Sequence, residues 1–197
     1  MKKKTANLIM VLIIAAIVIA GVVVAFTLKT DTGDGLGSQY KIQNIQDNAL
    51  IEPGQEDNIC TITIVCDTIL DNTKNLNEEK APFVPKDGTI LPKTQVSFSE
   101  GDTVFEVLNK VCEAAGIQIE YSYTPMYESY YIEGINHLYE FDCGPESGWM
   151  YQVNGVFPNY GCSRYLPEDG DKIVWCYTST GLGKDVGNEW MGNENEG

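Results

Sequence analysis

Apolar residues along this chain form one unbroken block near the start and, further on, a series of short alternating runs. The block extends from Leu8 to Leu28, 21 positions in which only Thr27 is more polar than Ala or Gly. A hydrocarbon core of roughly 30 Å takes about 20 apolar helical residues, whereas the apolar part of a cleaved signal is about 7 to 15, so the length predicts a retained transmembrane anchor. Lys2, Lys3 and Lys4 precede it and acidic residues follow it, which places the first seven residues in the cytoplasm and everything after the span outside.

Beyond the block, residues 29–59 are rich in Gly, Asp, Asn and Gln with no sustained period, and read as a linker. Cys60 to Thr68 alternates: Ile62 and Ile64 stand on one parity, Thr61 and Thr63 on the other, which predicts a half-buried strand. Asp71 to Pro92 carries three prolines and reads as a long loop with a short hairpin at Asp87-Gly88. Gln95 to Ser99 alternates again. Thr103-x-x-Glu106 is a capping box, opening a helix whose Val104, Leu108, Val111 and Ala115 share one face and which Gly116 stops. Gln118 to Tyr123 reads as a strand, followed by a Tyr-rich loop. Trp149 to Phe157 predicts a hairpin turning at Asn154-Gly155, and Lys172 to Tyr177 the last strand. Residues 179–197, Gly-rich and acidic, read as a flexible tail. One helix among several strands predicts an α+β domain over residues 60–178, a β-grasp-like mixed sheet wrapped on a single helix.

Charge and cysteine content sharpen this picture. The chain carries a formal charge of −15; the first 29 residues hold four of its 13 basic residues and none of its 28 acids, leaving the remainder near −19. Such a surface repels phosphate backbones and anionic headgroups, which excludes nucleic acid as a partner. All six cysteines (Cys60, Cys66, Cys112, Cys143, Cys162 and Cys176) lie beyond the span, where disulfides persist, and their even number makes each a disulfide candidate in any of 15 pairings. A structural metal is not expected: there is no C-x-x-C pair, and His137 is the only histidine.

The runs GDTVFEVLNKVCEAAGI (Gly101 to Ile117) and SGWMYQVNGVFPNYGCSRYLPEDGDKIVWCYT (Ser147 to Thr178) resemble the bacterial DUF4430 family, whose domain looks like the C-terminal domain of transcobalamin and intrinsic factor. Trp149, Gly155, Pro158 and Tyr165-Leu166-Pro167 have counterparts in order in the vertebrate carriers. The resemblance implies a ligand-binding module at the surface of a Gram-positive bacterium. In the carriers this domain is one half of a clamp around cobalamin, and the helical barrel forming the other half has no room in this chain.

On an extended strand Trp149, Tyr151 and Val153 share one face and Met150, Gln152 and Asn154 the other, with Phe157 and Tyr160 just past the turn. Trp149, Tyr151, Gln152, Asn154, Phe157 and Tyr160 are therefore the candidate ligand-binding residues: rings for a flat amphiphile such as a corrinoid, amides for its peripheral carboxamides. Packing is the competing role for Trp149 and Trp175, and turn formation for Asn154-Gly155. Catalysis is not expected, since His137 has no nucleophile motif beside it and neither a phosphate loop nor a calcium loop occurs. No cofactor is expected beyond a corrinoid held as ligand. The expected partners are the membrane, a small amphiphile and a transporter or surface protein. The alternative is a structural or adhesive protein that binds another protein or a polysaccharide through the Tyr-rich stretch from Tyr121 to Tyr139.

Overall fold

The alternation of Ile62 and Ile64 with threonine becomes the central strand of a five-stranded sheet, and both isoleucines are fully buried. In the computed structural model, which describes residues 49–50 and 58–188, the strands are β1 (Ala49–Leu50), β2 (Asn58–Val65), β3 (Thr89–Phe98), β4 (Ile119–Thr124), β5 (Ser129–Ile135), β6 (Leu138–Tyr139), β7 (Gly148–Val153) and β8 (Lys172–Thr178). They form two sheets, one in the order β1-β3-β2-β8-β7 and a smaller one in the order β4-β5-β6. Helices are few: α1 is a single turn (Thr68–Asp71) and α2 spans Val104–Ala115. The domain is thus α+β and mostly sheet. Its second sheet was not legible as a separate layer.

β2 pairs in parallel with β8 (Ile62 with Ile173, Ile64 with Trp175) and antiparallel with β3 on its other side. Residues paired across a ladder point the same way, so Ile62, Ile64, Ile173, Trp175 and, across β7, Trp149 and Tyr151 make one face. α2 supplies Val104, Val107, Leu108 and Val111 to the same core. Its start is the expected capping box, with the Thr103 N–H donating to Glu106 Oε2 at 2.9 Å, and its end is Gly116 at φ 67°.

Four expectations are corrected. Residues 179–188 are held, not free: Asp185 accepts from Thr178 Oγ1 at 2.5 Å, Ser179 N at 2.7 Å and Thr180 N at 3.0 Å, while Gly181 N donates to Glu146 Oε2 at 2.7 Å. Acidic residues that read as solvating a tail instead satisfy backbone donors. Likewise the domain begins before Cys60, because Ala49–Leu50 pairs in parallel with Gln95 and Val96 inside the supposed linker, and β2 starts at Asn58. The expected loop of residues 71–92 contains 3₁₀ turns at Thr73–Asn75 and Glu78–Phe83; Lys80 of the second bridges Asp142 at 3.2 Å. The expected basic stub and anchor (1–7 and 8–28) and residues 189–197 lie outside the described residues. Among the described residues no helix is long and apolar enough to cross a membrane.

The fourth correction concerns the disulfide framework. All six cysteines are free thiols, each buried. Alternation separates some of them: Cys176 pairs with Val65, so Cys66, the next residue, faces the opposite side of the sheet. Cys60, Cys66, Cys112, Cys143 and Cys162 fill the core as small apolar side chains instead, and Cys176 is buried outside that cluster. Burial pushes the thiols of Cys60, Cys66, Cys112, Cys162 and Cys176 up to about 12, and these groups stay protonated and unreactive at neutral pH.

Two outcomes are expected. An aromatic disulfide reagent at pH 8 should label none of the six thiols in the native chain and all six in denaturant. The thiol pKa values are raised above the unfolded value of 9.0, so their contribution to stability is complete below pH 9 and is lost as pH rises toward 12. Thermal melts should therefore show a Tm that falls through that window and is not rescued by salt.

Candidate functional site

β7 is the last strand of the large sheet, and its sequence GWMYQV sets the site. Val153 exchanges backbone bonds with Val156 (2.9 and 3.0 Å) on the side away from β8, while Asn154 N donates to Lys172 O on the β8 side at 2.9 Å. Backbone groups alternate along a strand, so the N–H and C=O of Tyr151 and Trp149 also point away from β8. No other strand pairs along this outer edge among the described residues. The expected type I′ geometry is present, with Asn154 at φ 54° and Gly155 at φ 80°. The returning arm is only one bridge long: the chain veers off at Pro158, which cannot donate to a ladder.

A groove of about 830 Å³ opens along this edge. Trp149, Met150 and Tyr151 form its floor, Val156, Phe157 and Pro158 one wall, and Asn159, Gly187 and Asn188 add polar groups and close backbone. The far wall exists because the segment after β8 folds back across the sheet. Gln152 Nε2 donates to Val186 O at 3.2 Å, and Gly183, at φ 104°, passes so close that a Cβ there would lie 2.7 Å from Met150 Sδ. A smaller cavity of about 220 Å³ shares Trp149 and Met150 and extends the groove past Phe141 and Leu182.

Of the six residues expected in the site, Trp149, Tyr151 and Phe157 line the groove and the other three do not. Trp149 is only 7 % exposed, and its indole N–H donates to Leu138 O at 2.8 Å, so it ties the two sheets together while its edge borders the groove. Tyr151 donates to Tyr160 O at 2.7 Å and lies 5.4 Å from the Trp175 ring. Burial, and after it Cys162 and the neighbouring phenols, pushes its phenol well above the usual tyrosine range. Tyr160 stands outside the groove, stacked on Tyr165 at 5.7 Å. Gln152 holds Val186. Asn154 holds its own turn: Nδ2 donates to Asp171 Oδ1 at 2.7 Å and Oδ1 accepts from Lys172 N at 3.0 Å.

Sequence reasoning missed Met150, Val156, Pro158, Asn159, Gly187 and Asn188. The run VFPN just after a tight turn signalled the first wall. Nothing local signalled the second, because the fold-back rests on contacts with Thr178 and Glu146. His137 sits in a turn at φ 62°, its carbonyl accepting from Lys80 at 2.9 Å and its ring 4.6 Å from Phe83. Among the described residues no group of three His, Cys, Asp or Glu is placed to hold a metal ion.

Residues 101–179 match the model of DUF4430, a domain of unknown function, which bears out the resemblance over that stretch. No curated protein matches the chain. Among solved structures the chain is similar to a proposed metal binding protein from Ruminococcus gnavus ATCC 29149, at TM-score 0.38 and 12 % identity over 64 % of this chain and 100 % of that one. It is also similar to haptocorrin in complex with Cbi, at TM-score 0.40 and 15 % identity over 64 % of this chain. The match spans 26 % of the haptocorrin chain.

Asn154→Ala should lower stability by about 1 to 3 kcal/mol, since it removes two side-chain hydrogen bonds and puts a Cβ-bearing residue without a local partner at positive φ. Chemical denaturation measures that loss. Asn154→Gly should recover part of it.

Proposed function

We propose that this chain is a non-catalytic ligand-binding module, tethered to the cell membrane by Leu8 to Leu28, that holds a small amphiphilic molecule in the groove beside β7. The observation that carries this reading is the groove itself. Its volume of about 830 Å³ lies within the roughly 300 to 1,000 Å³ of small-molecule sites, and apolar rings on its floor and one wall face amides on the other. The outward N–H and C=O groups of Trp149 and Tyr151 add donors and acceptors that a ligand bearing carboxamides satisfies. The strand order β3-β2-β8-β7, with its central pair parallel and α2 following the second long strand, supports a β-grasp-like reading of the fold. The resemblance of Ser147 to Thr178 to the vitamin carriers makes a corrinoid the first ligand to try. Handover of such cargo to a membrane transporter is the role that the tether suggests.

The buried thiols are compatible with an oxidising exterior, because a protonated thiol out of solvent is a poor substrate for oxidation. Removing the anchor's contribution is a separate matter from ligand binding: protease added to intact cells should digest the domain, and protection of the C-terminus would reverse the assigned topology.

For the ligand, calorimetry and corrin absorbance with cobinamide and cyanocobalamin against the detergent-solubilised full chain should show saturable binding. Phe157→Ala should weaken it about tenfold, as expected for the loss of one buried aromatic contact. Tyr127→Ala, remote from the groove, should leave it unchanged. No heat and no spectral change up to about 100 µM, a concentration equivalent to roughly 5 kcal/mol of binding, would remove the corrinoid from consideration.

A further inference from the structure

The smaller cavity beside the groove has a chemistry of its own. Tyr131, Glu140, Phe141, Glu146, Trp149 and Leu182 line its volume of about 220 Å³, and it shares Trp149 and Met150 with the groove. Two of these residues are held in a costly backbone conformation. Phe141 stands at φ 67° and Leu182 at φ 52°, a region that bulky side chains seldom adopt, yet neither is buried by it: they remain 62 % and 49 % exposed. Strain of this kind persists only where the surroundings fix it. For Phe141 the fixing bond is its N–H to Ser147 O at 3.0 Å, which closes the loop carrying Glu146. The outcome is two apolar side chains set around one cavity.

The polar groups there divide into donors that are spent and acceptors that are not. Tyr131 donates its hydroxyl to Glu140 Oε2 at 2.6 Å, the Trp149 indole to Leu138 O at 2.8 Å, Ser147 to Gly144 O at 2.8 Å and Thr178 to Asp185 Oδ1 at 2.5 Å. Glu146 accepts from Gly181 N at 2.7 Å, also on Oε2, so Oε1 of both glutamates has no partner among the described residues. Neither carboxylate forms an ion pair there, and no basic residue lines the cavity. An anionic or carbonyl head group would therefore meet no free side-chain donor. A cation meets two carboxylates and the rings of Tyr131, Phe141 and Trp149, the combination that recognises organic ammonium groups. A metal ion suits it poorly, since no three His, Cys, Asp or Glu side chains among the described residues are placed to hold one.

We propose that this cavity seats the positively charged end, an alkylammonium or quaternary ammonium group, of the amphiphile held along β7. The assignment rests on the groove being a ligand site, because the cavity joins it at Trp149 and Met150. The remainder of the molecule then runs past Met150 onto Tyr151 and Phe157. The charge of the chain beyond residue 29, near −19, draws such a cation in, and salt weakens that attraction.

Calorimetry on the full chain in non-ionic detergent tests this with three probes of one chain length: hexyltrimethylammonium, 1-hexanol and hexanoate. The ammonium should bind at least about tenfold more tightly than either of the others. Glu140→Gln combined with Glu146→Gln keeps both hydrogen-bond acceptors but removes both charges, and should weaken the ammonium about tenfold. Glu113→Gln combined with Glu128→Gln, two exposed positions outside the cavity, makes the same change in net charge and should cost less than about twofold. Phe141→Leu keeps the apolar contact but removes the ring, so the ammonium should lose about threefold and 1-hexanol nothing. Equal affinity for the three probes, no ammonium binding up to about 10 mM, or equal losses from the two glutamate pairs would overturn the proposal. Phe157→Ala separates it from the reading beneath: if that variant weakens every probe and the three probes bind alike, only the head-group assignment fails, whereas if it changes none of them the groove fails as well.

Discussion

The parallel pairing of β2 with β8 is the constraint on which the rest of the molecule depends. It joins residues 61–65 to residues 172–176, more than a hundred positions apart, and every other element is positioned from that seam. β3 extends the sheet on one side of the seam and β7 on the other, so among the described residues β7 is an edge strand paired with β8 alone. Closing a ladder over so long a loop carries an entropic cost that the surrounding core must offset. The fully buried set Ile62, Ile64, Ile173, Val107, Leu108 and Val111 lies where that offset is needed, between the seam and α2.

The seam also explains which features were readable from sequence. Local signals survived: Thr103 and Glu106 cap α2, Gly116 ends it, Asn154 and Gly155 turn with positive φ, and the alternation of β2, β7 and β8 fixes their inward faces. Each of these depends on residues a few positions apart. The small sheet was harder to see, because Tyr121, Tyr123, Tyr130 and Tyr131 are amphipathic and satisfy either a strand or a packed loop. The fold-back at Gly181–Val186 was illegible for a different reason. Its sequence is poor in apolar residues, and what holds it is Asp185 receiving three donors from the end of β8, an arrangement that exists only once β8 is in place.

The same distinction runs through the candidate site. Trp149 and Tyr151 could be named because an alternating strand with large aromatics must bury or present them. Gln152 and Asn154 were named on the assumption that the opposite face meets solvent. In fact that face is covered too: Cys176, the partner of Met150, is buried beneath the returning chain, and Gln152 spends its amide on Val186. Reading one face as core and the other as open is sound for a two-layer domain and fails when a terminal segment makes a third layer.

That third layer bears on how a groove at a sheet edge can be selective. An edge strand alone is flat and offers only backbone groups, so it accepts any extended partner. Here one wall is carried by the turn after β7, which Asn154 fastens to Asp171, and the other by the segment after β8, which Asp185 and Glu146 fasten to the sheet. Both walls are held by contacts within the chain itself, so a molecule entering the space between them would bear little of the cost of ordering it.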